Sequence, residues 1–400
     1  MKILIDFTQI PVVRTGVGVY SENLIRELVQ LIRPEDVLFL LIQDDEVALR
    51  EIGGVHPNIQ FVSIPSRYFR KRALLFAFEQ FILPVMLLRK RIDVLHSLHY
   101  THPFISPSRR VVTIHDLTFL LYPELHTLGR RLIMPLFIRH AVRHVEAVIF
   151  VSNSAREDAN RLVPGGKALE SVIPLGVNRS LFEAPDCDEI QNVLQKLNIE
   201  RPFLLFIGTI EPRKNIIRLV QAFEMVADKQ SGIVLVLAGK FGWDYAEVLD
   251  AIENSRHRNR IRLAGFITDV EKKALLNSCE ILVYPSLYEG FGLPVLEAMA
   301  AGAPVITSNL SSLPEVSGNA GILINPKVIP LLVSAIFGVL ASAEKKIAMR
   351  TDGKQRASLF TWKNTARLTY ETYCQVLGIR ERHDQPSFSA TEKANSDFFL

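Results

Sequence analysis

Two carboxylates flank a glycine turn in the C-terminal half of the sequence. Glu289 directly precedes Gly290-Phe291-Gly292-Leu293, and Glu297 follows a few residues later. The apolar run Ile281–Tyr284 before the turn predicts a buried strand, and a helix is predicted over 295–301, with a proline in its first turn. A strand, a glycine turn and a helix together place backbone N–H groups at the carboxyl edge of a parallel sheet. This arrangement predicts an anion site.

The two carboxylates indicate what kind of anion would bind there. A carboxylate repels a phosphate, so a site for phosphate alone would not place one beside the turn. The pattern makes sense for a ligand that carries hydroxyls as well: Glu297 would accept from a ribose and Glu289 from a sugar. The alternative is that both side chains are solvated. The glycine turn and the flanking strands favour the first interpretation and predict a nucleotide-sugar site.

Two adjacent cations follow another predicted strand. Arg213 and Lys214 lie in the loop between the apolar run 202–208 and a helix that we expect to start near Ile216. Arginine binds phosphate with two parallel hydrogen bonds, and lysine adds a mobile point charge. The loop is either a diphosphate clamp or a solvated basic turn.

The N-terminal half offers weaker signals of the same kind. A first strand is followed by a loop with Gly16 and Gly18 and by a helix expected from about Ser21, but the spacing is a poor dinucleotide fingerprint. A predicted central strand ends at His115-Asp116, where ligands bind in open α/β sheets. A single histidine is more often structural, and Asp116 would either orient its imidazole or cap the loop.

The segment from Glu289 through 297–302 resembles the E-x-x-x-x-x-x-x-E signature of the family 4 retaining glycosyltransferases. The similarity continues through 304–306, 313–316 and 321–323, and it is stronger in the C-terminal half than in the N-terminal half. The resemblance implies the GT-B fold, an α/β architecture with two Rossmann-like, doubly wound parallel-sheet domains facing across a cleft. It also implies a C-terminal helix that crosses back to the first domain.

The resemblance also implies roles for individual residues. The loop with Gly16 and Gly18 would cover the donor phosphates and the acceptor, and His115 would touch the transferred sugar or the acceptor. The loop at Phe266 and Ile267 would line the nucleobase, mostly through its main chain.

The cations of the 209–215 loop would neutralise the leaving diphosphate. Many members carry an arginine directly after the strand's glycine, where this chain has Thr209, so Arg213 would reach the same place from further along. The Pro-Arg-Lys-Asn variant resembles a mannosyltransferase-like branch.

The resemblance implies a retaining hexosyltransferase, and no metal is expected because side-chain cations would take its place. The resemblance to the mannosyltransferase-like branch favours transfer of mannose from GDP-mannose to a glycan or lipid-linked oligosaccharide, as in cell-surface polysaccharide (lipopolysaccharide) assembly. We expect front-face transfer, with no cofactor beyond the nucleotide-sugar substrate. The alternatives are a transferase that uses a UDP-sugar, a nucleotide-sugar epimerase, a related phosphorylase, and a catalytically silent partner subunit docked on a membrane.

Composition sets further bounds. The 400 residues suit two α/β domains, and 48% hydrophobic residues suit large buried parallel sheets. A net charge of +4 does not indicate nucleic-acid binding. Three distant cysteines predict neither a disulfide framework nor a zinc site, which favours a reducing cytoplasm. Asp186-Cys187-Asp188 matches an Asp-x-Asp metal motif, but no strand precedes it, so we expect no metal there.

The expected domains are an acceptor-binding domain over 1–180, a linker over 181–200 and a nucleotide-sugar domain over 201–361. A crossover helix over 362–379 and a disordered tail over 380–400 would follow. No signal peptide is expected at the start. Basic clusters flank an apolar segment within 67–91. This segment is expected either to pack on the sheet with solvated ends or also to touch an anionic membrane from the cytoplasmic side.

Overall fold

The computed structural model describes residues 1–10, 16–53 and 56–379. The chain divides into two compact units, and each is described by itself. The first unit takes Met1–Val151, Ala155–Gly176 and the chain from Thr361 onward, and the second takes Ser152–Ser154 and Val177–Phe360.

The first unit is built on a seven-stranded parallel sheet. Its strands are β1 (Lys2–Asp6), β2 (Val37–Gln43), β3 (Ile59–Ile64), β4 (Val94–Ser97), β5 (Arg109–Ile114), β6 (Ala147–Phe150) and β7 (Leu169–Val172). Their spatial order is β3-β2-β1-β4-β5-β6-β7, and every neighbouring pair is parallel. The order reverses between β1 and β4, which is where a doubly wound sheet binds its ligands.

Helices cover both faces of this sheet. In chain order they are α1 (Val17–Leu31), α2 (Ala48–Gly53), α3 (Ser66–Phe69), α4 (Arg72–Ala77), α5 (Leu83–Lys90), α6 (Thr118–Leu121), α7 (Leu128–His144) and α8 (Asn153–Leu162). One π-helical turn, Phe78–Ile82, joins α4 to α5. Apolar side chains cluster under the segment from α4 to α5 and also under α7 and α8. Strands covered on both faces in this way are nearly continuous apolar runs, such as β2, VLFLLIQ.

The second unit has a six-stranded parallel sheet. Its strands are β8 (Phe203–Ile207), β9 (Val234–Ala238), β10 (Ile261–Gly265), β11 (Ile281–Tyr284), β12 (Val305–Ser308) and β13 (Ile322–Ile324). The order is β10-β9-β8-β11-β12-β13, again all parallel. The reversal falls between β8 and β11.

The helices of the second unit alternate with its strands. They are α9 (Cys187–Lys196), α10 (Ile216–Ala227), α11 (Ala246–Glu253), α12 (Asp269–Ser278), α13 (Leu293–Ala301), α14 (Leu313–Ser317), α15 (Ile329–Leu340) and α16 (Ala343–Ala357). Helix α10 shows why they pack: Ile216, Leu219, Val220 and Phe223 recur at helical spacing and are all buried. The expected fold class, two Rossmann-like parallel sheets, is confirmed.

The chain returns to the first unit in α17 (Trp362–Val376), which packs along α1. Thr361 caps it by accepting a hydrogen bond from the backbone N–H of Asn364 at 3.2 Å. Gly176 lies against the start of this helix so closely that a Cβ atom there would be 2.1 Å from the backbone nitrogen of Trp362. The expected tail over 380–400 falls outside the described residues.

Three local expectations were wrong. Helix α1 begins at Val17, and Ser21 lies inside it with its hydroxyl bonded to the Val17 carbonyl at 2.7 Å. Helix α12 is capped by Thr268 rather than Asp269, since Thr268 and Glu271 form a reciprocal capping box. The expected linker over 181–200 contains helix α9, so the Asp-x-Asp sequence lies at the start of a helix.

Candidate active site

The site in the second unit forms at the reversal of the sheet order. The loop after β8 carries Arg213 and Lys214, and the loop after β11 carries Glu289. These two strands are neighbours, so their carboxyl ends bring the loops together. Leu287 donates its backbone N–H to the Arg213 carbonyl at 2.9 Å, which ties one loop to the other.

Lys214 and Glu289 form a buried ion pair. Lys214 Nζ lies 2.6 Å from Glu289 Oε1, and each side chain is 8% exposed. Tyr284, the last residue of β11, completes the contact: Lys214 Nζ donates to its hydroxyl at 2.7 Å, and that hydroxyl donates to Glu289 Oε1 at 3.0 Å. The ammonium group is therefore held by two oxygens that come from the same strand and loop.

Arg213 is shared between two carboxylates. Its Nη1 lies 3.0 Å from Glu289 Oε2 and also donates to the Tyr288 carbonyl at 2.7 Å. Its Nε and Nη2 donate to Glu211 Oε1 at 3.1 and 2.7 Å. Both oxygens of Glu289 are thus engaged, one by each cation.

The electrostatics follow from this arrangement. Burial alone would raise the pKa of Glu289, but Arg213 and Lys214 outweigh it and lower that pKa to about 2. Burial and the neighbouring Arg213 lower the pKa of Lys214, although Glu289 opposes the shift. Burial and Glu289 raise the pKa of Tyr284 well above its usual value. Glu289 is therefore a fixed anion at neutral pH, and Tyr284 stays protonated.

The glycine turn is held by serines of the next loop. Ser311 Oγ accepts from the Glu289 backbone N–H at 2.9 Å. Ser312 Oγ lies 2.9 and 2.8 Å from the carbonyl oxygens of Glu289 and Phe291, which share its one proton. Gly292 precedes α13 with φ of 106°, and a Cβ there would lie 2.7 Å from Leu313 Cδ2. Only glycine suits both this backbone conformation and this space.

Glu297 lies in the middle of α13, apart from the cation pair. Its Oε1 is 2.7 Å from Lys272 Nζ, and its side chain is 12% exposed. Burial would lower the pKa of Lys272, but Glu297 and Asp269 outweigh it and raise that pKa. The carboxylate expected to accept from a ribose is therefore paired with a lysine of α12.

In the first unit, His115 follows β5 and is buried. Its Nε2 lies 2.9 Å from the Leu98 carbonyl oxygen, which can only accept, so Nδ1 is the unprotonated nitrogen of the neutral ring. Burial lowers the pKa of His115. Asp116 accepts from the Thr118 backbone N–H and hydroxyl at 3.0 and 2.8 Å and from the Tyr100 hydroxyl at 2.9 Å. These contacts are those of a loop cap.

The remaining predicted residues lie in loops and at helix starts. Gly16 precedes α1 with φ of 39°, and Gly18 is buried in its first turn. Phe266 and Ile267 follow the edge strand β10, and the Phe266 side chain is 56% exposed. Within the described ranges, no group of three or more His, Cys, Asp or Glu side chains is arranged to hold a metal ion.

Sequence reasoning missed several partners of the site: Glu211, Tyr284, Lys272 and the serine pair at 311 and 312. Glu211 is only two residues from Arg213, and Tyr284 ends the predicted strand, so position along the chain was an available signal for these two. Lys272 pairs with Glu297 from a different helix, and nothing in the local sequence indicates that contact.

Two doubly wound domains, one carrying adjacent cations and a carboxylate at its strand reversal, form the architecture that the resemblance to family 4 glycosyltransferases implies. Residues 14–181 match the family described as Glycosyltransferase Family 4, and residues 189–356 match Glycosyl transferases group 1. The chain belongs to glycosyltransferase family 4.

Relatives of known name agree with this family. O-antigen chain mannosyltransferase B of Escherichia coli is 31% identical over 66% of this chain and 70% of that protein. Serotype-specific mannosyltransferase WbdA of E. coli is 30% identical over 70% of this chain, which spans only 35% of the length of WbdA. The crystal structure of HepE from Anabaena, in complex with UDP and glucose, superposes with a TM-score of 0.73 at 20% identity over 94% of this chain and all of that one. This structural likeness shows a shared GT-B fold.

Proposed function

We propose that this protein is a retaining hexosyltransferase that moves mannose from GDP-mannose to a glycan or a lipid-linked oligosaccharide in cell-surface polysaccharide assembly. The observation that carries the proposal is the contact of Arg213 and Lys214 with Glu289 at the strand reversal of the second unit. The similarity to an O-antigen chain mannosyltransferase supports mannose as the sugar.

In this mechanism the two cations act on the leaving group. The bond between the anomeric carbon and the diphosphate oxygen breaks, and a bond from an acceptor hydroxyl to that carbon forms on the same face. The acceptor proton passes to the departing diphosphate oxygen. Arg213 and Lys214 stabilise the negative charge that develops on the diphosphate, a role that needs no metal ion. Backbone N–H groups near Gly292 assist at the start of α13.

The carboxylates recognise hydroxyl groups. Glu289 accepts from the sugar while it holds the cations in place, and Glu297 accepts from the ribose. His115 faces the transferred sugar or the acceptor, and the loop with Gly16 and Gly18 covers the donor phosphates. Phe266 and Ile267 provide main-chain contacts to the base.

A UDP-sugar is the second candidate donor. The reason is the HepE structure, which has the same fold and holds UDP and glucose. The base contacts expected at 266–267 come mostly from main-chain atoms, so these side chains do not discriminate between guanine and uracil.

The decisive experiment compares labelled GDP-mannose and UDP-glucose as donors for transfer to lipid-linked acceptors. Lys214→Met and Arg213→Gln should each reduce kcat by on the order of 10²–10³ with GDP-mannose, as loss of a transition-state contact does. Arg258→Gln is the matched control, because that arginine is 60% exposed and pairs with Glu253 on the surface. Folded variants that transfer mannose at the wild-type rate would refute the site, and turnover of UDP-glucose alone would establish the second candidate.

The proposed place of action is the cytoplasmic face of a membrane, where a lipid-linked acceptor would be presented. Among the described residues, no helix has the length and apolar character needed to span a bilayer. We propose that the segment 67–91 makes a peripheral contact with the membrane.

A further inference from the structure

The segment from α4 to α5 is apolar on two opposite faces. Its inner face, with Leu75, Phe78, Leu83 and Leu87, is packed in the core of the first unit. Its outer face carries Phe81, Ile82, Val85 and Leu88, which are 75%, 54%, 48% and 66% exposed. A surface helix of a globular protein normally has only one apolar face, so the outer face needs a partner.

Helix α7 carries a second exposed apolar stripe. Leu128, Leu132 and Leu136 recur at intervals of four residues and are 75%, 69% and 58% exposed. The same face continues toward the end of the helix with Arg139 and Arg143, both exposed. The stripe is thus apolar for two turns and basic for the next two.

A loop between β4 and β5 contacts both of the elements that carry the exposed stripes. The Phe104 backbone N–H donates to Gln80 of the π-helical turn at 3.0 Å, and the Phe104 ring lies 4.8 Å from the ring of Phe137 on α7. Phe137 also meets Phe76 of α4 edge to face at 5.5 Å. The neighbouring Ile105 side chain is 82% exposed. We call the exposed apolar side chains of 81–88, 104–105 and 128–136 the apolar plate.

The chain segments that carry the apolar plate have many more basic than acidic residues. The range 66–91 holds seven basic residues against one acidic residue, Glu79, which is buried, and the range 128–144 holds four arginines and no acidic residue. The whole chain, by contrast, has a net charge of only +4. Arg70 pairs with Asp45, and Lys90 is partly buried with its ammonium over the Phe39 ring. The other basic side chains of these ranges are exposed. Apolar side chains surrounded by basic ones match a bilayer surface with anionic headgroups.

We propose that the apolar plate, built jointly from α5, the 104–105 loop and α7, docks the first unit on an anionic lipid bilayer. Phe81, Leu88, Leu132 and Leu136 enter the boundary between headgroups and acyl chains, and the surrounding arginines contact lipid phosphates. The proposal adds a second helix and a loop to the segment 67–91. Only the biological reason for docking, which is to reach a lipid-linked acceptor, rests on the proposed function.

The test is co-sedimentation of the full chain with vesicles, without any nucleotide-sugar. Vesicles of phosphatidylcholine with one third phosphatidylglycerol are compared with pure phosphatidylcholine. Binding to the anionic vesicles should be stronger by on the order of tenfold or more and should weaken with salt. Two pair variants, Phe81→Gln with Leu88→Gln and Leu132→Gln with Leu136→Gln, should each weaken it by on the order of tenfold.

The matched control is Ile347→Gln on α16 of the second unit, since Ile347 is 65% exposed and lies far along the chain from the plate. It should bind like wild type. Because the replaced side chains are largely exposed, circular dichroism and the melting temperature of each pair variant should stay close to wild type.

Absent vesicle binding, equal binding to both vesicle types, or a loss as large for Ile347→Gln as for the pairs would each overturn the proposal. A wild-type dimer in sedimentation velocity that both pair variants dissociate would also overturn it, because the plate would then belong to a second copy of the chain. Vesicle binding is measured without sugar transfer. The docking proposal can therefore be tested even if the proposed transfer reaction is refuted.

Discussion

Glu289→Gln is the substitution that most directly probes the cation pair. It keeps the size of the side chain but removes the negative charge that both Lys214 and Arg213 contact. Lys214 would then be a buried ammonium with the Tyr284 hydroxyl as a remaining neighbour and another cation beside it. Removing one partner of a buried ion pair is strongly destabilising for this reason.

The size of the effect follows from the pKa of Glu289, which is lowered from 4.5 to about 2. One pKa unit corresponds to about 1.4 kcal/mol, so the carboxylate contributes roughly 3 kcal/mol to stability at pH 7. The folded pKa lies below the unfolded one. The contribution is therefore complete above pH 4.5 and disappears as the pH falls toward 2. In a unit of this size, the loss lowers the melting temperature by roughly 6–12 °C.

Urea unfolding of wild type and Glu289→Gln at pH 7, 4 and 3 tests this reasoning. The deficit in unfolding free energy should be about 3 kcal/mol at pH 7 and less than half of that at pH 3. Glu253→Gln is the control, because its pair with Arg258 is more than half exposed and should matter by less than about 0.5 kcal/mol. A deficit that stays constant from pH 7 to pH 3 would show that the loss is not electrostatic.

Four further predictions concern individual residues of the fold. Gly292→Ala should cost roughly 1–3 kcal/mol in thermal unfolding because of its left-handed backbone, whereas Gly129→Ala on α7, with open space around it, should stabilise by about 0.5–1 kcal/mol. Tyr373→Phe should cost about 1–3 kcal/mol in urea unfolding, since it removes the hydroxyl 2.6 Å from buried His96 Nδ1. Burial lowers the pKa of His96 and of His102 from 6.5 to about 3. The folded values lie below the unfolded one, so the contribution of these two groups to stability is nearly complete at pH 7.5 and should fall by about 2 kcal/mol for the two together between pH 6.5 and 5.5, which unfolding at pH 7.5, 6.5 and 5.5 measures.

The strands of the second unit, and the meeting of Arg213 and Lys214 with Glu289, could be predicted from the sequence because they depend on local patterns. Apolar runs bounded by glycines and polar loops predict β8 and β11. Parallel strands place their carboxyl ends at the same edge of the sheet. It follows that Arg213, Lys214 and Glu289 lie near one edge if their strands are close, and β8 and β11 are in fact neighbours. The family resemblance supplied the architecture that the local patterns left open.

The partners within the site could not be predicted, because they depend on side-chain geometry between elements. Glu297 was expected to accept from a ribose, and its contact with Lys272 of α12 was not expected. The predicted starts of two helices were wrong for a related reason. Ser21 and Asp269 are both good capping residues by type, but α1 begins earlier, at Val17, and α12 is capped by Thr268. Composition also could not distinguish the inner from the outer face of the segment at 72–90, because both faces are apolar.

The charges around the cations constrain how a diphosphate would bind. Arg213 and Lys214 are matched by Glu211 and Glu289, so these four groups have no net formal charge among themselves. The electrostatic attraction between a diphosphate and these cations would therefore become strong mainly when one of the carboxylates no longer contacts them. In the proposed mechanism, sugar hydroxyls donate to Glu289 as the phosphates approach, which releases one cation toward the leaving group. Glu289 would then couple recognition of the sugar to stabilisation of the diphosphate. Lys214 should accordingly contribute less to the binding affinity for a nucleoside diphosphate that lacks the sugar.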